Sequence, residues 1–251
     1  MKGRLFLVPA PLDFGCTQGI DLRDSLPMGT LTVAAGLAHW VCENAKSARA
    51  YLKRVNEITP LCLPIQALSL VELPREVHKK GDHHGNFDAR GLLQPALDGH
   101  DMGLVSEAGM PAVADPGSSV VRAAHDLGVK VVPLIGPVSL LLALAASGLN
   151  GQNFAFVGYL PQDPQERTQR LRELETLALK VGQTQLFIET PYRNLNMLQA
   201  LLQTLQPNTR LAISSGLTLE NASITSDSIK NWKHKPVILN NATPAVFAIG
   251  R

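Results

Sequence analysis

The first half of the chain alternates short apolar runs with longer stretches whose apolar residues recur every three or four positions. Arg4–Val8 reads as a buried strand stopped by Pro9 and Pro11. Leu31–Ala35 reads as a second strand ending at Gly36. Ala38–Val55 reads as a helix with Val41, Ala45, Ala48, Leu52 and Val55 on one face. Leu61–Ile65 is a short third strand broken by Pro64, and Asp88–Leu97 a helix. Gly103–Ser106 is the fourth strand, Ser118–Leu127 a helix and Lys130–Leu134 the fifth strand. This order predicts a mostly parallel sheet with helices on its faces.

The second half has a different rhythm. Phe154–Val157, Thr184–Glu189, Arg210–Ser214, Pro236–Leu239 and Val246–Ile249 read as strands, with helices at Gln165–Ala178 and Asn194–Leu205. Polar connectors such as SSGLTLENAS stand where helices would separate the last three strands, which predicts a mixed sheet. The expected class is therefore α/β with two domains, 1–137 carrying the parallel sheet and 138–251 the mixed one. Val131–Leu149 is nearly uncharged and almost long enough to span a bilayer. Pro133 and Gly136-Pro137 interrupt it, so it reads as a strand, a turn and a buried helix.

Between Gly103 and Gly136 the strands end in loops of small residues, GLVSEAGMPAVADPG and VKVVPLIG. Ligands of open α/β sheets bind at that edge. These loops lack the side chains of a phosphate cradle or a metal cage and suit a ligand held largely by backbone groups, such as a nucleoside. Gly109 and Pro111 shape a turn that lets the backbone approach a ligand closely. Ser106 can hydrogen-bond a carboxylate or ribose. Ala108, Met110, Ala112 and Val113 form an apolar wall, and Ile135, Gly136 and Ser139 the opposite one. Read alone, the same glycines and prolines also fit plain turns between core elements.

Composition narrows the picture. The 251 residues are 45% hydrophobic and 18% charged, ordinary for a globular chain. Aromatics at 5% leave few base-stacking platforms, and a net charge of +2 requires any nucleic-acid contact to be a local patch. Cys16, Cys42 and Cys62 form no CxxC pair, which points to a reducing, cytoplasmic setting without a zinc site. Met1–Arg4 runs straight into LFLV, too short an apolar stretch for a signal peptide. His78, Asp82, His83 and His84 lie in the polar, glycine-rich run HKKGDHHGN, read as a solvated loop rather than a metal cluster. With Arg75, Lys79, Lys80 and Arg90 it is the best candidate for a phosphate-contacting flap. Arg167, Arg170 and Arg172, interleaved with Glu173 and Glu175, read as a salt-bridged helix surface.

The ordered segments SEAGMPAVADPG, VRAA, VVPLIGPVSLLLALAASGL, FVGYLP and FIETPYR resemble the tetrapyrrole methylase superfamily, and within it the ribosomal RNA small-subunit methyltransferase I branch. The resemblance implies an S-adenosylmethionine-dependent methyltransferase, usually a homodimer, with the donor in a cleft between two domains. The nearest branch methylates a cytidine ribose 2′-hydroxyl. It implies donor contacts at Ser106, Ala108, Gly109, Met110, Val113, Ile135, Ser139, Leu160, Ala212 and Ala242. It implies acceptor contacts at Arg49, Lys79, Lys80, His84, Arg90, Tyr192 and Arg193, and neither metal nor membrane. Glu107 is the first choice of general base, with Glu43, His84 and Glu189 as alternatives. A turn carboxylate is the other reading of Glu107.

Departures from the branch fall on the acceptor side. CENAKSAR replaces a segment usually containing AEDTR, and Glu189-Thr190-Pro191-Tyr192-Arg193 lacks the usual His. A basic C-terminal extension common in the branch is not in the sequence, which ends at Arg251. A tetrapyrrole or other small-molecule methyltransferase, or a binding protein of this fold without catalysis, therefore stands beside the RNA reading.

Overall fold

The structure is a computed structural model that describes residues 1–13, 16, 19–74, 76, 77, 82, 87–236 and 239–251. The chain divides into two compact units, one comprising Ile20–Val138 with the N-terminal segment, the other Ser139–Arg251 with a few residues before Ile20.

In the first unit, β1 (Arg4–Leu7), β2 (His39–Cys42), β3 (Ser69–Glu72), β4 (Met102–Val105) and β5 (Lys130–Pro133) form a parallel sheet in the order β3-β2-β4-β1-β5. Alternate residues feed two cores. Phe6, Val8, Trp40, Cys42 and Val105 meet helices α1 (Met28–Ala35) and α2 (Ala45–Ile58). Leu5, Val41, Met102 and Leu104 meet α3 (Ser118–Asp126) and the turns around Leu93 and Ala96. The central β4 is buried at every position.

Four expected elements differ. Leu31–Ala35 is not a strand but the body of α1. An apolar run without clear periodicity fits either state, and Pro27 before it with Gly36 after it frames a helix. The strand comes later, at His39–Cys42, where a helix was expected from Ala38. That helix starts at Ala45, because the Asn44 side chain accepts from the Lys46 and Ser47 amides and caps it. No strand forms at Leu61–Ile65. The edge strand is β3, which is mostly exposed although Leu70 and Val71 are apolar. Asp88–Leu97 is helical only in two short turns, Arg90–Leu93 and Gln94–Leu97.

In the second unit, β6 (Phe154–Tyr159), β7 (Thr184–Glu189), β8 (Arg210–Ser215), β9 (Ser223–Ser228) and β10 (Ala245–Gly250) are ordered β6-β7-β10-β8-β9. The β6–β7 pair is parallel and the rest antiparallel, a mixed sheet. Helices α5 (Pro164–Lys180) and α6 (Asn194–Thr204) cover one face through Leu171, Leu174, Leu198 and Leu201, around stacked Phe187 and Phe247. Helix α4 (Ser139–Ser147) packs on β8, β9 and β10. It buries Leu140 and Leu144 but exposes Leu141 and Leu142, so it is only half a buried helix. The strand expected at Pro236–Leu239 falls partly outside the described residues, and Pro236 and Leu239 are not in strand. The polar SITSDS pairs with β8 instead. Among the described residues no helix is long and apolar enough to cross a membrane.

Candidate active site

β4 delivers the segment Ser106–Gly117 to the C-terminal edge of the parallel sheet, beside the ends of β1 and β2. Four bonds stitch it there. Gly109 and Ala10 exchange backbone hydrogen bonds of 2.9 and 3.0 Å. The Glu107 amide donates to the Glu43 carboxylate at 3.2 Å. The Ser47 hydroxyl, in the first turn of α2, donates to Glu107 Oε1 at 3.0 Å. The neighbouring loop after β5 is held by Thr30 Oγ1, which donates to the Ile135 carbonyl at 2.7 Å.

Within this segment Ala112 and Ala114 adopt φ of 63° and 66°, the left-handed region that L-residues avoid. Such strain persists only where the surroundings over-determine the backbone, as they do in ligand-binding loops. Ser106 is buried, and its Oγ has no hydrogen-bond partner among the described residues. A buried hydroxyl left unpaired is costly unless a ligand or water completes it. Val113 and Ile135 are exposed, Ile135 by 76%, and offer apolar surface at the same edge. Ala108 and Met110 are half-buried.

Gly109 is held closely by its neighbours. Its N–H and C=O are both engaged by Ala10, and a Cβ there would meet Leu12 Cδ2 at 3.1 Å. Its φ of 69° and this packing both favour glycine at the position.

Asp115, in the ADPG quartet, joins the carboxylates at this edge as a candidate that its sequence context did not single out. Burial first, then the charges of Glu43 and Glu107, push its carboxyl up to about 7. The site therefore gathers three carboxyl groups, one of which exchanges its proton near neutrality. Cys42, at the end of β2, is no nucleophile, since burial and the Glu72 charge push its thiol up to about 12.

The other expected contacts lie on both units. Arg49 is exposed on α2. Arg90 is exposed and paired with Asp88, Nη2 to Oδ2 at 2.7 Å. Lys79, Lys80 and His84, with Arg75, His78 and His83, lie outside the described residues. Asp82 is not a solvated loop residue, because its buried carboxylate binds the start of α3. In the second unit Ser139 opens α4 and is half-buried, while Leu160 and Ala212 are buried in that unit. Ala242 is exposed and donates to Asn240 Oδ1 at 2.8 Å. Tyr192 is 66% exposed. Arg193 instead turns inward, its Nε and Nη2 on buried Glu189 Oε1 at 3.0 and 2.7 Å. Glu189 is thereby paired and is no free base. Arg170 pairs with Glu173 at 3.1 Å on the surface of α5. Among the described residues no group of three His, Cys, Asp or Glu could hold a metal ion.

Residues 38–232 match the family profile described as Tetrapyrrole (Corrin/Porphyrin) Methylases. The chain is 32% identical over 218 residues to the ribosomal RNA small subunit methyltransferase I of Mesorhizobium japonicum, covering 87% of this chain and 65% of that protein. It is 34% identical over 217 residues to the protein of that name from Halalkalibacterium halodurans, covering 86% and 65%. To the one from Vibrio cholerae it is 38% identical over 137 residues, covering 55% and 46%. The chain thus spans about half to two thirds of the length of the curated relatives it matches. Among solved structures, the methyltransferase CobJ superposes with a TM-score of 0.57 at 18% identity, covering 99% of this chain and 94% of that one. The uroporphyrin-III-C-methyltransferase from Thermus thermophilus gives 0.52 at 17% identity, covering 100% and 93%. At these identities the likeness is one of fold. The profile match over most of the chain, with the two-sheet architecture and the small-residue loop after β4, shows that the chain belongs to the tetrapyrrole (corrin/porphyrin) methylase family.

Proposed function

We propose that the chain is an S-adenosylmethionine-dependent methyltransferase acting in the cytoplasm on a ribose 2′-hydroxyl of small-subunit ribosomal RNA. The carrying observation is the strained loop after β4, which presents a buried, unpartnered Ser106 hydroxyl beside a clamped carboxylate. The Ser106 hydroxyl suits a donor's carboxylate or ribose, and the apolar surface of Met110, Val113 and Ile135 suits its thioether and adenine. When bound, the donor supplies an electrophilic methyl group for in-line transfer. This chain's share is to position the acceptor oxygen and take its proton. Glu107, oriented by Ser47 and Glu43, is placed to do so, and Asp115 holds or releases a proton near neutral pH. The names carried by the relatives support RNA as acceptor.

Calorimetry with S-adenosylhomocysteine tests the donor site, and no heat with or without RNA would end the reading. Ribosomal RNA from a deletion strain tests the acceptor: it should lack one 2′-O-methyl group that this protein restores.

A small-molecule acceptor is the second reading. It is favoured by the net charge of +2 and by the carboxylate partners of Arg90 and Arg193. Salt separates the two. RNA binding should weaken steeply with salt, and Lys79→Ala/Lys80→Ala/Arg90→Ala should flatten that slope. An unchanged slope would favour the small molecule.

A further inference from the structure

Helix α3 has no cap of its own. Its N-cap residue is Gly117, at a φ of 135°, with no side chain to accept from the first turn. The acceptor comes from 35 residues upstream. The Asp82 carboxylate, 5% exposed, accepts from the Gly117 amide at 2.8 Å and the Ser119 amide at 2.8 Å. It also accepts from Ser119 Oγ at 2.6 Å and Ser118 Oγ at 2.7 Å. Burial opposes its charge, but the bonds from Ser119, Ser118 and Gly117 outweigh burial and hold the carboxyl below its usual range.

Asp82 therefore grips the point where the loop after β4 becomes α3. Gly117 stands against that loop, since a Cβ on it would lie 3.3 Å from both the Cβ and the amide nitrogen of Ala112. Ala112 is one of the two left-handed alanines. The loop is pinned near its start by the Gly109–Ala10 bridge and at its end by Asp82. Left-handed alanines between two such pins stay in place, whereas with one pin released they relax toward ordinary backbone. The carboxylate also fills the helix N-terminus, which would otherwise attract a ligand's own anionic group.

We propose that Asp82 is a positioning residue for the donor loop, holding Ala112 and Ala114 in their left-handed conformations through Gly117. The inference rests on the donor-binding reading of that loop, and its test has a readout that does not. Hydrogen–deuterium exchange of the full chain is measured over Glu107–Ser119, alongside calorimetry with S-adenosylhomocysteine. Asp82→Ala should speed exchange across Gly109–Ala114 at least tenfold and weaken ligand binding about tenfold, with the second unit's exchange unchanged. Sodium formate, which refills the vacated acceptor position, should restore both. Asp82→Asn should stay near wild type, because its amide oxygen, set where Oδ2 stands, still accepts from both backbone amides. If exchange rises only at Gly117–Ser119, or formate restores nothing, Asp82 is a helix cap alone and the proposal is overturned. If Asp82→Ala does not fold, Ser119→Ala decides: it must loosen Gly109–Ala114 measurably or the proposal falls. Should the wild-type chain bind no S-adenosylhomocysteine while exchange follows Asp82, the donor reading fails and the positioning role stands.

Discussion

The Ser47 hydroxyl meets the Glu107 carboxylate at 3.0 Å across 60 positions of sequence. It ties the helix after β2 to the loop after β4 and leaves Glu107 a defined orientation. Glu107→Gln keeps that acceptor and removes the charge. Methyl transfer should fall about a hundredfold, the size expected for one general base, with donor affinity within about twofold of wild type. Full activity on the true acceptor would remove Glu107 from the chemistry. Ser47→Ala should lower turnover by a smaller factor without changing donor affinity.

Asp115 links stability to pH with a defined sign. Burial and the Glu43 and Glu107 charges push it up to about 7 in the folded chain, whereas an unfolded Asp titrates at about 4. The native state binds the proton more tightly, so the stability this group adds is full below about pH 4 and is lost as pH rises to about 7, with no further loss above. Asp115→Asn should remove that slope and stabilise the protein at pH 8 by about 1–2 kcal/mol. It should also lower methyl transfer and erase any rise in rate near pH 7. Urea unfolding and pH–rate profiles read the two effects, and a slope that survives the substitution would contradict the assignment.

Two glycines at the sheet edge should fail for different reasons. Gly109→Ala places a Cβ at a φ of 69° and should cost about 1–2 kcal/mol from backbone alone. At Gly136 a Cβ would stand 2.2 Å from Pro9 Cγ, so Gly136→Ala should cost more than Gly109→Ala although Gly136 is not left-handed. Thermal unfolding ranks them, and the reverse order would refute the steric argument.

Arg193→Ala leaves Glu189 as an unpaired buried charge and should cost about 3 kcal/mol or more. The double variant Glu189→Gln/Arg193→Met should be markedly less destabilised. If Arg193→Ala is as stable as wild type and only RNA affinity drops, Arg193 faces the acceptor after all.

We propose a homodimer, as the resemblance implies, with Leu141 and Leu142 of α4 at its interface, since both are exposed apolar side chains. Sedimentation at micromolar concentration should show a dimer that Leu141→Glu/Leu142→Glu converts to a monomer. A wild-type monomer would refute the proposal.

Local pattern was enough for many elements. β1, β4, β5, β7 and β10, with α3, α5 and α6, lie within a residue or two of where periodicity puts them. So was the small-residue loop after β4, whose Gly, Pro and Asp turn chemistry is written in consecutive residues. The departures share one physical cause. Whether Leu31–Ala35 winds or extends, and whether the exposed Ser69–Glu72 and the polar Ser223–Ser228 pair at all, depends on neighbours brought from elsewhere in the chain. The same holds for the site. Glu107 stands out in the sequence, but Ser47, Glu43 and Asp115 join it only because parallel pairing sets β2 beside β4 and packs their following loops together. Asp82 reads as one more polar loop residue until folding removes it from water and sets it on amides that no local side chain could satisfy. Sequence carries what a residue can do within a few turns of itself; which charges share a low-dielectric edge, and which buried donors still need a partner, only tertiary packing decides.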